Sequence, residues 1–327
     1  MMALIEITPW HWAGFIVCVL IFLALDLGVF HRGSHIVKFK DALAWTALWF
    51  SLAMLFACAV AYARGHEEAA QFTAGYLIEL SLSLDNILVI ALIFSAFRVP
   101  PQFQHRVLFW GILGALVMRG AMIAVGAVLI REFDWVLYVF GVFLVFTGIK
   151  MLFVGQQMVE PDKNPVLRFA RKLFPVTPHF EGDKFFTRLN QRFALTPLAL
   201  VLLLVETTDL IFAVDSVPAV FSITKNAFIV FTSNVFAILG LRSMYFLLAG
   251  ALGYFRYLKV GLSVVLVFVG AKMLLDPHDQ PPKWFQVEIP TNVSLMTIGA
   301  VVLIAIVLST MVAEREKRTG AGKPPKA

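Results

Sequence analysis

The 327-residue chain is 60% hydrophobic and only 15% charged, with a mean hydropathy of +0.83. A soluble domain carries roughly 25% charged residues, so a water-soluble enzyme or binding module is excluded and an all-α polytopic membrane protein is expected. The net charge of +6 invites a nucleic-acid reading, but its distribution along the chain removes it.

A membrane-crossing helix needs roughly 20 apolar residues. Nine runs meet this: 10–30, 42–63, 72–97, 106–130, 134–154, 194–221, 227–251, 257–275 and 290–313. The first lacks a basic leader in Met1–Pro9 and a small-residue cleavage site, so it reads as a span rather than a cleaved signal. It holds Asp26. Cys18 and Cys58 lie in the first two runs, imply no disulfide framework and read as small packing residues.

The third run carries Glu79-Leu-Ser-Leu-Ser-Leu-Asp85-Asn86, and the sixth carries Glu206-Thr-Thr-Asp209-Leu-Ile-Phe-Ala-Val-Asp215-Ser216. In both, an acid is followed six residues on by Asp and then by a small amide or hydroxyl. The fourth and seventh runs share a second landmark, Gly111 to Arg119 and Asn234 to Arg242. The fifth and eighth share a third, Gly148-Ile-Lys150-Met-Leu and Gly270-Ala-Lys272-Met-Leu. The offsets are 130 from Asp85 to Asp215, 123 from Arg119 to Arg242 and 122 from Lys150 to Lys272. Two copies of a three-helix unit are therefore expected, and an odd helix number makes the second enter the bilayer from the opposite side. The chain then divides into two leading helices (1–71), a first repeat (72–154), a basic loop (155–192), a second repeat (193–275) and a last helix with a basic tail (276–327).

With the N-terminus outside and alternating helices, nineteen Lys and Arg fall on the cytoplasmic side and four on the other. That asymmetry is the positive-inside signature; it fixes the expected topology as N-out, C-in and leaves no role for nucleic acid. The 155–192 gap mixes Lys163, Arg168, Arg171 and Lys172 with Glu160, Asp162, Glu181 and Asp183 and reads as a solvated connector, with binding of anionic headgroups or a partner as the lesser alternative.

Apart from Arg106, Asp134 and Lys259 at the run ends, ten charged side chains fall inside the runs: Asp26, Glu79, Asp85, Glu206, Asp209 and Asp215 against Arg119, Lys150, Arg242 and Lys272. Ionisable groups at membrane depth cost several kcal/mol unless paired or hydrated, and the excess of two negative charges suits a divalent cation. Lys150 and Lys272 are placed to snorkel towards the interface. At about 100° per residue, Glu79 lines up with Asn86, and Asp209 with Ser216, whereas Asp85 and Asp215 point about 120° away. Straight helices would thus serve two faces; a break, for which Pro218 offers a cause in the second motif, would gather the acids together. Carboxylate, amide and hydroxyl oxygens favour hard ions such as Mg²⁺, Ca²⁺ or Mn²⁺. The seven histidines lie near loops or helix ends without ligand spacing, and no nucleophile–base set or HExxH marks an enzyme.

These strings, from Gly75-Tyr-Leu-Ile-Glu79 through Thr232-Ser-Asn234-Val-Phe-Ala-Ile-Leu-Gly-Leu-Arg242, resemble the TerC family of integral membrane proteins, close to its Alx-like subgroup. The resemblance implies an inner-membrane protein linked by name to tellurium resistance and by function to manganese homeostasis, with Mn²⁺ export as the expected activity. The family's acidic positions carry over to Glu79, Asp85, Asn86, Glu206, Asp209, Asp215 and Ser216. Asp85 and Asp215 are expected as primary ligands, Glu79, Glu206 and Asp209 as further ligands or proton carriers, and Asn86 and Ser216 as neutral donors. Arg119 and Arg242 would balance charge by orienting unoccupied carboxylates. No permanently bound cofactor is expected; Mn²⁺ or another divalent ion is the cargo. Association with a second copy or other membrane proteins is left open, as is a non-transporting scaffold in a stress-resistance or protein-export complex. Tellurite efflux fits poorly, because an acidic path repels an oxyanion.

Overall fold

The computed structural model describes residues 7–30, 39–153, 164–189, 192–248, 258–276 and 286–319. In chain order the elements are α1 (Pro9–Phe30), α2 (Phe39–Arg64), α3 (His66–Ala96), α4 (Pro101–Glu132), α5 (Trp135–Phe153), α6 (Pro165–Leu173), β1 (Phe186–Leu189), β2 (Arg192–Leu195), α7 (Pro197–Phe221), α8 (Ala227–Leu248), α9 (Leu258–Leu275) and α10 (Thr291–Thr319). Each of the nine apolar runs coincides with one long helix. Among the described residues, seven of these (α2, α3, α4, α5, α7, α8 and α10) are long and apolar enough to cross a membrane. The apolar part of α1, Pro9–Ala24, is shorter, and α9 spans 18 residues. Helix is the required form here, since hydrocarbon offers no partner to an open backbone N–H or C=O.

The turns follow from single residues. Only Gly65 separates α2 from α3, with φ +97°, a conformation glycine adopts without a Cβ clash. Proline opens α4, α6 and α7 at the first helical position, where its missing N–H has no helical partner to lose. α7 runs unbroken through Pro218, so the break considered above does not occur and the acids stay on separate faces.

α3 and α8 form the centre. α8 is buried along most of its length from Phe228 to Tyr245; α3 packs on α8, α7 and α2, and α4 lies across α7 and α8. α10 closes over α3 and α9. The tightest helix pair is α5 with α9. A Cβ at Gly148 would lie 2.9 Å from the Ser263 carbonyl oxygen and 2.8 Å from Val267 Cγ2. One at Gly270 would lie 2.8 Å from the Gly141 carbonyl oxygen and 2.9 Å from Val145 Cγ2. A shift of 122 residues turns the second set of partners into the first. The contact is self-complementary, and its glycines let two backbones approach as small residues do between membrane helices.

Three expectations change. The 155–192 segment is no bare connector: its described part holds α6, capped by Asn164 Oδ1 accepting from the Val166 and Leu167 amides at 2.9 and 3.2 Å, and most of the β1–β2 hairpin. Cys18 and Cys58 are free and exposed rather than packed, Cys18 in an apolar groove with Phe56 and Phe236. Lys272 is buried rather than exposed at the interface, facing Asp276 at 3.8 Å beside a polar cavity at the end of α9, while Lys150 is exposed. The side chain of Asp26, and residues His31, His35 and His278, lie outside the described residues.

The α5–α9 contact yields a stability test. Gly270→Ala forces its Cβ against backbone atoms of α5, which cannot rotate away, and should destabilise by about 1–3 kcal/mol. Gly299→Ala, with nothing within 4 Å of the added carbon, should leave the protein unchanged. Thermal unfolding in detergent compares the two; equal melting temperatures would show that α5 and α9 separate without cost.

Candidate metal-transport site

Glu79 and Asn86 are seven residues apart on α3, and Asp209 and Ser216 seven apart on α7, so each pair shares one helix face across two turns. α3 and α7 pack together, and α4 packs on α7. Into the cleft between them reaches Arg119 of α4, only 1% exposed. Its guanidinium grips Asp209 with two hydrogen bonds, Nη2 to Oδ1 at 2.7 Å and Nε to Oδ2 at 3.1 Å. Nη1 forms an ion pair with Glu79 Oε1 and donates to Ser216 Oγ at 3.4 Å. With the Asn86 amide turned so that its oxygen faces the guanidinium, it accepts from Nη2 at 3.3 Å and donates to the Leu82 carbonyl at 3.2 Å. Five expected site residues, Glu79, Asn86, Arg119, Asp209 and Ser216, therefore meet in one buried cluster.

Glu206 stands one turn before Asp209, on the same side of α7. Its carboxylate lies against the α4 backbone at Gly114, where an added Cβ would collide with it. Oε2 of Glu206 is buried without a hydrogen-bond partner among the described residues, as are Oε2 of Glu79, the Ser83 hydroxyl and both amide atoms of Asn234 on α8. Buried polar atoms are rarely left unpaired, so this stretch of the bundle has the donor set to bind something polar. Glu79, Asp209 and Glu206, if ionised, carry three negative charges against the single positive charge of Arg119.

Asp85 and Asp215 do not join this cluster. Six residues from Glu79 and Asp209, they face away from it, as helical geometry requires. Asp85 lies in the field of Lys259 at the start of α9, and Asp215 faces the Thr147 hydroxyl and Lys150 on α5. Each is turned to one member of the α5–α9 pair, though their partners are not repeat mates, since Lys272 rather than Lys259 corresponds to Lys150. Among the described residues, no three His, Cys, Asp or Glu side chains come together in metal-holding geometry; Arg119 occupies the place between the carboxylates. Arg242 is buried on α8, and it is not among the groups joined to Arg119.

Sequence reading missed Gly114, Asn234, Thr147 and Lys259. Asn234 had a signal, an amide inside an apolar run. Lys259 counted only as an interfacial cation, and nothing local marks Gly114 as the seat of a carboxylate. At the end of the bundle where α3 and α10 begin and α7 and α9 end, a polar cavity of about 280 Å³ is lined by Glu67, Lys225, Lys272, Asp276 and Glu288 among others.

The chain matches the model of the "Integral membrane protein TerC family" over residues 64–317. It is 51% identical over 319 residues to an uncharacterized membrane protein, STKORF319, of Myxococcus xanthus, covering 98% of this chain and 97% of that one. It is 43% identical over 324 residues to the "putative membrane-bound redox modulator Alx" of Escherichia coli K12, covering 96% and 98%. An uncharacterized membrane protein of Rickettsia bellii is 39% identical over 292 residues, covering 89% and 97%. No solved structure matches. With the family model spanning most of its length and relatives of this identity aligned nearly end to end, the chain belongs to the TerC family of integral membrane proteins.

Proposed function

We propose that the protein is a secondary transporter that exports divalent metal cations, Mn²⁺ first among them, from the cytoplasm across the inner membrane. The observation that carries this reading is the buried cluster in which carboxylates from two related helices share one guanidinium and outnumber it. A fixed ion triad has little to gain from an excess of acid, whereas a cation site needs it. Arg119 acts as a tethered counter-cation. It holds Glu79 and Asp209 when no ion is bound, and the ion must displace it to reach them. Asn86 and Ser216 supply neutral oxygens beside the carboxylates, and Glu206, with an unpaired oxygen, is the acid free to meet an arriving cation. Asp85 and Asp215 stand outside the cluster, on the faces turned to α9 and α5, as accessory acids.

The self-complementary α5–α9 contact supports the division into inverted repeats at 72–154 and 193–275, the architecture on which alternating access depends. With the N-terminus outside, the polar cavity lined by Glu67, Asp276 and Glu288 opens outward. Glu67 precedes Glu79 by twelve residues of α3, about 18 Å along the helix. All donors in the cluster are hard oxygens, which suits Mn²⁺ and other hard divalent ions over thiophilic ones. The two cysteines are the chain's thiols; a Cys18→Ser, Cys58→Ser protein with unchanged flux would show that Mn²⁺ movement does not use them.

Two experiments test the reading. In proteoliposomes the wild type should move Mn²⁺, and Glu79→Gln and Asp209→Asn should abolish flux. Asp85→Asn and Asp215→Asn should keep it with KM raised about tenfold or more, since a hydrogen bond to a charged group is worth about 1.5–3 kcal/mol. No flux from folded wild-type protein would overturn transport by this chain and favour the scaffold reading.

The second concerns the counter-cation. Arg119→Gln should bind Mn²⁺ about tenfold more tightly by calorimetry, a gain of about 1.4 kcal/mol, yet transport it slowly. Arg119→Lys should keep both properties near wild type. Weaker binding by a folded Arg119→Gln protein would assign Arg119 a purely structural role.

A further inference from the structure

The nine residues of α6 separate cleanly around the helix. At about 100° per residue, Val166, Leu167, Phe169, Ala170 and Leu173 share one half, and Arg168, Arg171 and Lys172 share the other. Only part of the apolar half is used inside the protein. Leu167 and Ala170 are buried in the core cluster that contains Leu198 and Val201 of α7. Phe169 and Leu173, on the same half, are 64% and 56% exposed.

The exposed stripe continues beyond the helix. Phe174 packs edge-on to Phe193 at 5.8 Å, and Phe193 stacks on Phe186 at 5.2 Å. The register pairs Phe186 with Leu195 and Arg188 with Phe193, so Phe186, Arg188 and Phe193 project from one face of the hairpin. Five large side chains, each at least 40% exposed, leave on the order of 500 Å² of apolar surface uncovered. That is at the upper end of what a water-facing surface tolerates.

The position of this patch along the bundle is set by hydrogen bonds. The Thr177 amide donates to the Leu195 carbonyl, and the Leu195 amide to the Pro175 carbonyl, both at 2.9 Å. Thr196 Oγ1, capping α7, donates to the Lys184 carbonyl at 2.7 Å. Arg106 of α4 pairs with Asp183 and lies 5.4 Å over the Phe185 ring. The element is therefore fastened to the second turn of α4 and the start of α7. α7 has 25 residues, a length of about 37 Å against a hydrocarbon thickness of about 30 Å. Its first turn thus lies at headgroup depth, and α6 and the hairpin lie there with it.

We propose that α6 and the β1–β2 hairpin form an interfacial anchor, with Phe169, Leu173 and Phe193 seated in the cytoplasmic leaflet and Arg168, Lys172 and Arg188 bound to anionic lipid headgroups. Charge complementarity selects this occupant. Among the described residues, Asp183 is paired with Arg106; Glu181 accepts from the Thr187 hydroxyl and keeps its charge, but Arg168, Lys172, Lys184 and Arg188 outnumber it, which leaves the outward charge basic. The cytoplasmic leaflet is the anionic one, and each basic residue near it gains about 1 kcal/mol. Aromatic rings are favoured at the same depth, and an amphipathic basic helix is the usual form of such an anchor. The proposal does not depend on what the bundle transports.

The test uses the full chain in nanodiscs with Cys18→Ser and Cys58→Ser, so that one spin label can be placed by Phe169→Cys or Phe193→Cys. Collision with oxygen, which partitions into lipid, is compared with collision with a water-soluble nickel chelate. The expected result is preferential oxygen access at both positions, larger in discs containing phosphatidylglycerol than in pure phosphatidylcholine, with Arg168→Gln/Lys172→Gln removing the difference. Preferential nickel access at both positions in anionic discs would overturn the proposal and leave the face to a soluble partner. Immersion that ignores headgroup charge would equally overturn the anionic-lipid assignment.

Discussion

The structure depends on one buried charge cluster, the Arg119 guanidinium held between Glu79 and Asp209. An unpaired ion in a low-dielectric interior costs several kcal/mol, so the three helices that contribute these groups are obliged to sit where the charges meet. α3, α4 and α7 are set in mutual register by that requirement as much as by apolar packing. The neutral partners sharpen it. Ser216 and Asn86 approach the same guanidinium, and a planar fork that donates in several fixed directions admits few other arrangements of its acceptors. Gly114 extends the device one turn further, since any side chain there would evict the Glu206 carboxylate from the α4 surface.

Around this centre the bundle has two kinds of contact. The α3–α8 region is filled with large apolar and aromatic side chains, including Phe72, Ile78 and Phe236, and has the interdigitation of an ordinary protein core. The α5–α9 contact is glycine-mediated, and backbone meets backbone. Val145 and Val267 sit directly on the facing glycines, so the seam is close-packed. Asp85 and Asp215 both turn towards this pair, which places the two outlying acids beside the seam that joins the two repeats.

Helical periodicity made much of this legible before any coordinates. The seven-residue spacing of Glu79 with Asn86 and of Asp209 with Ser216 put each pair on one face, and both pairs converge on Arg119 as that spacing requires. The same arithmetic separated Asp85 and Asp215, yet they were expected as the primary ligands, because residue type was weighed above helix face. Pro218 encouraged the idea of a break, but loss of one N–H in a helix supported by its neighbours does not force one. The helix within the connector between α5 and α7 was hidden because its charges were counted without their phase. Read at 100° per residue, Val166, Phe169 and Leu173 already separate from Arg168 and Lys172. What no local pattern could convey is which helix presents its glycine to which carboxylate, since that depends on contacts about ninety residues apart, as between Gly114 and Glu206.

The energetics of the cluster bear on why it exists. Replacing a buried ion pair by apolar residues of similar volume is often neutral or stabilising, so three carboxylates and an arginine are poor material for merely holding a bundle together. The imbalance worsens matters for a structural explanation: one guanidinium cannot satisfy Glu79, Asp209 and Glu206, and oxygens of Glu79 and Glu206 are left without hydrogen bonds. A chain selected only for stability would lose the surplus acid at a single substitution. The surplus makes sense where a second positive charge visits. A bound divalent ion would satisfy the unpaired oxygens, and the arginine it displaces would need somewhere to go, which makes entry of the ion and rearrangement of α4 a single event. Under the proposed function, coupling of that kind, in which occupancy by the cargo moves the helix, would rest on the Arg119 side chain.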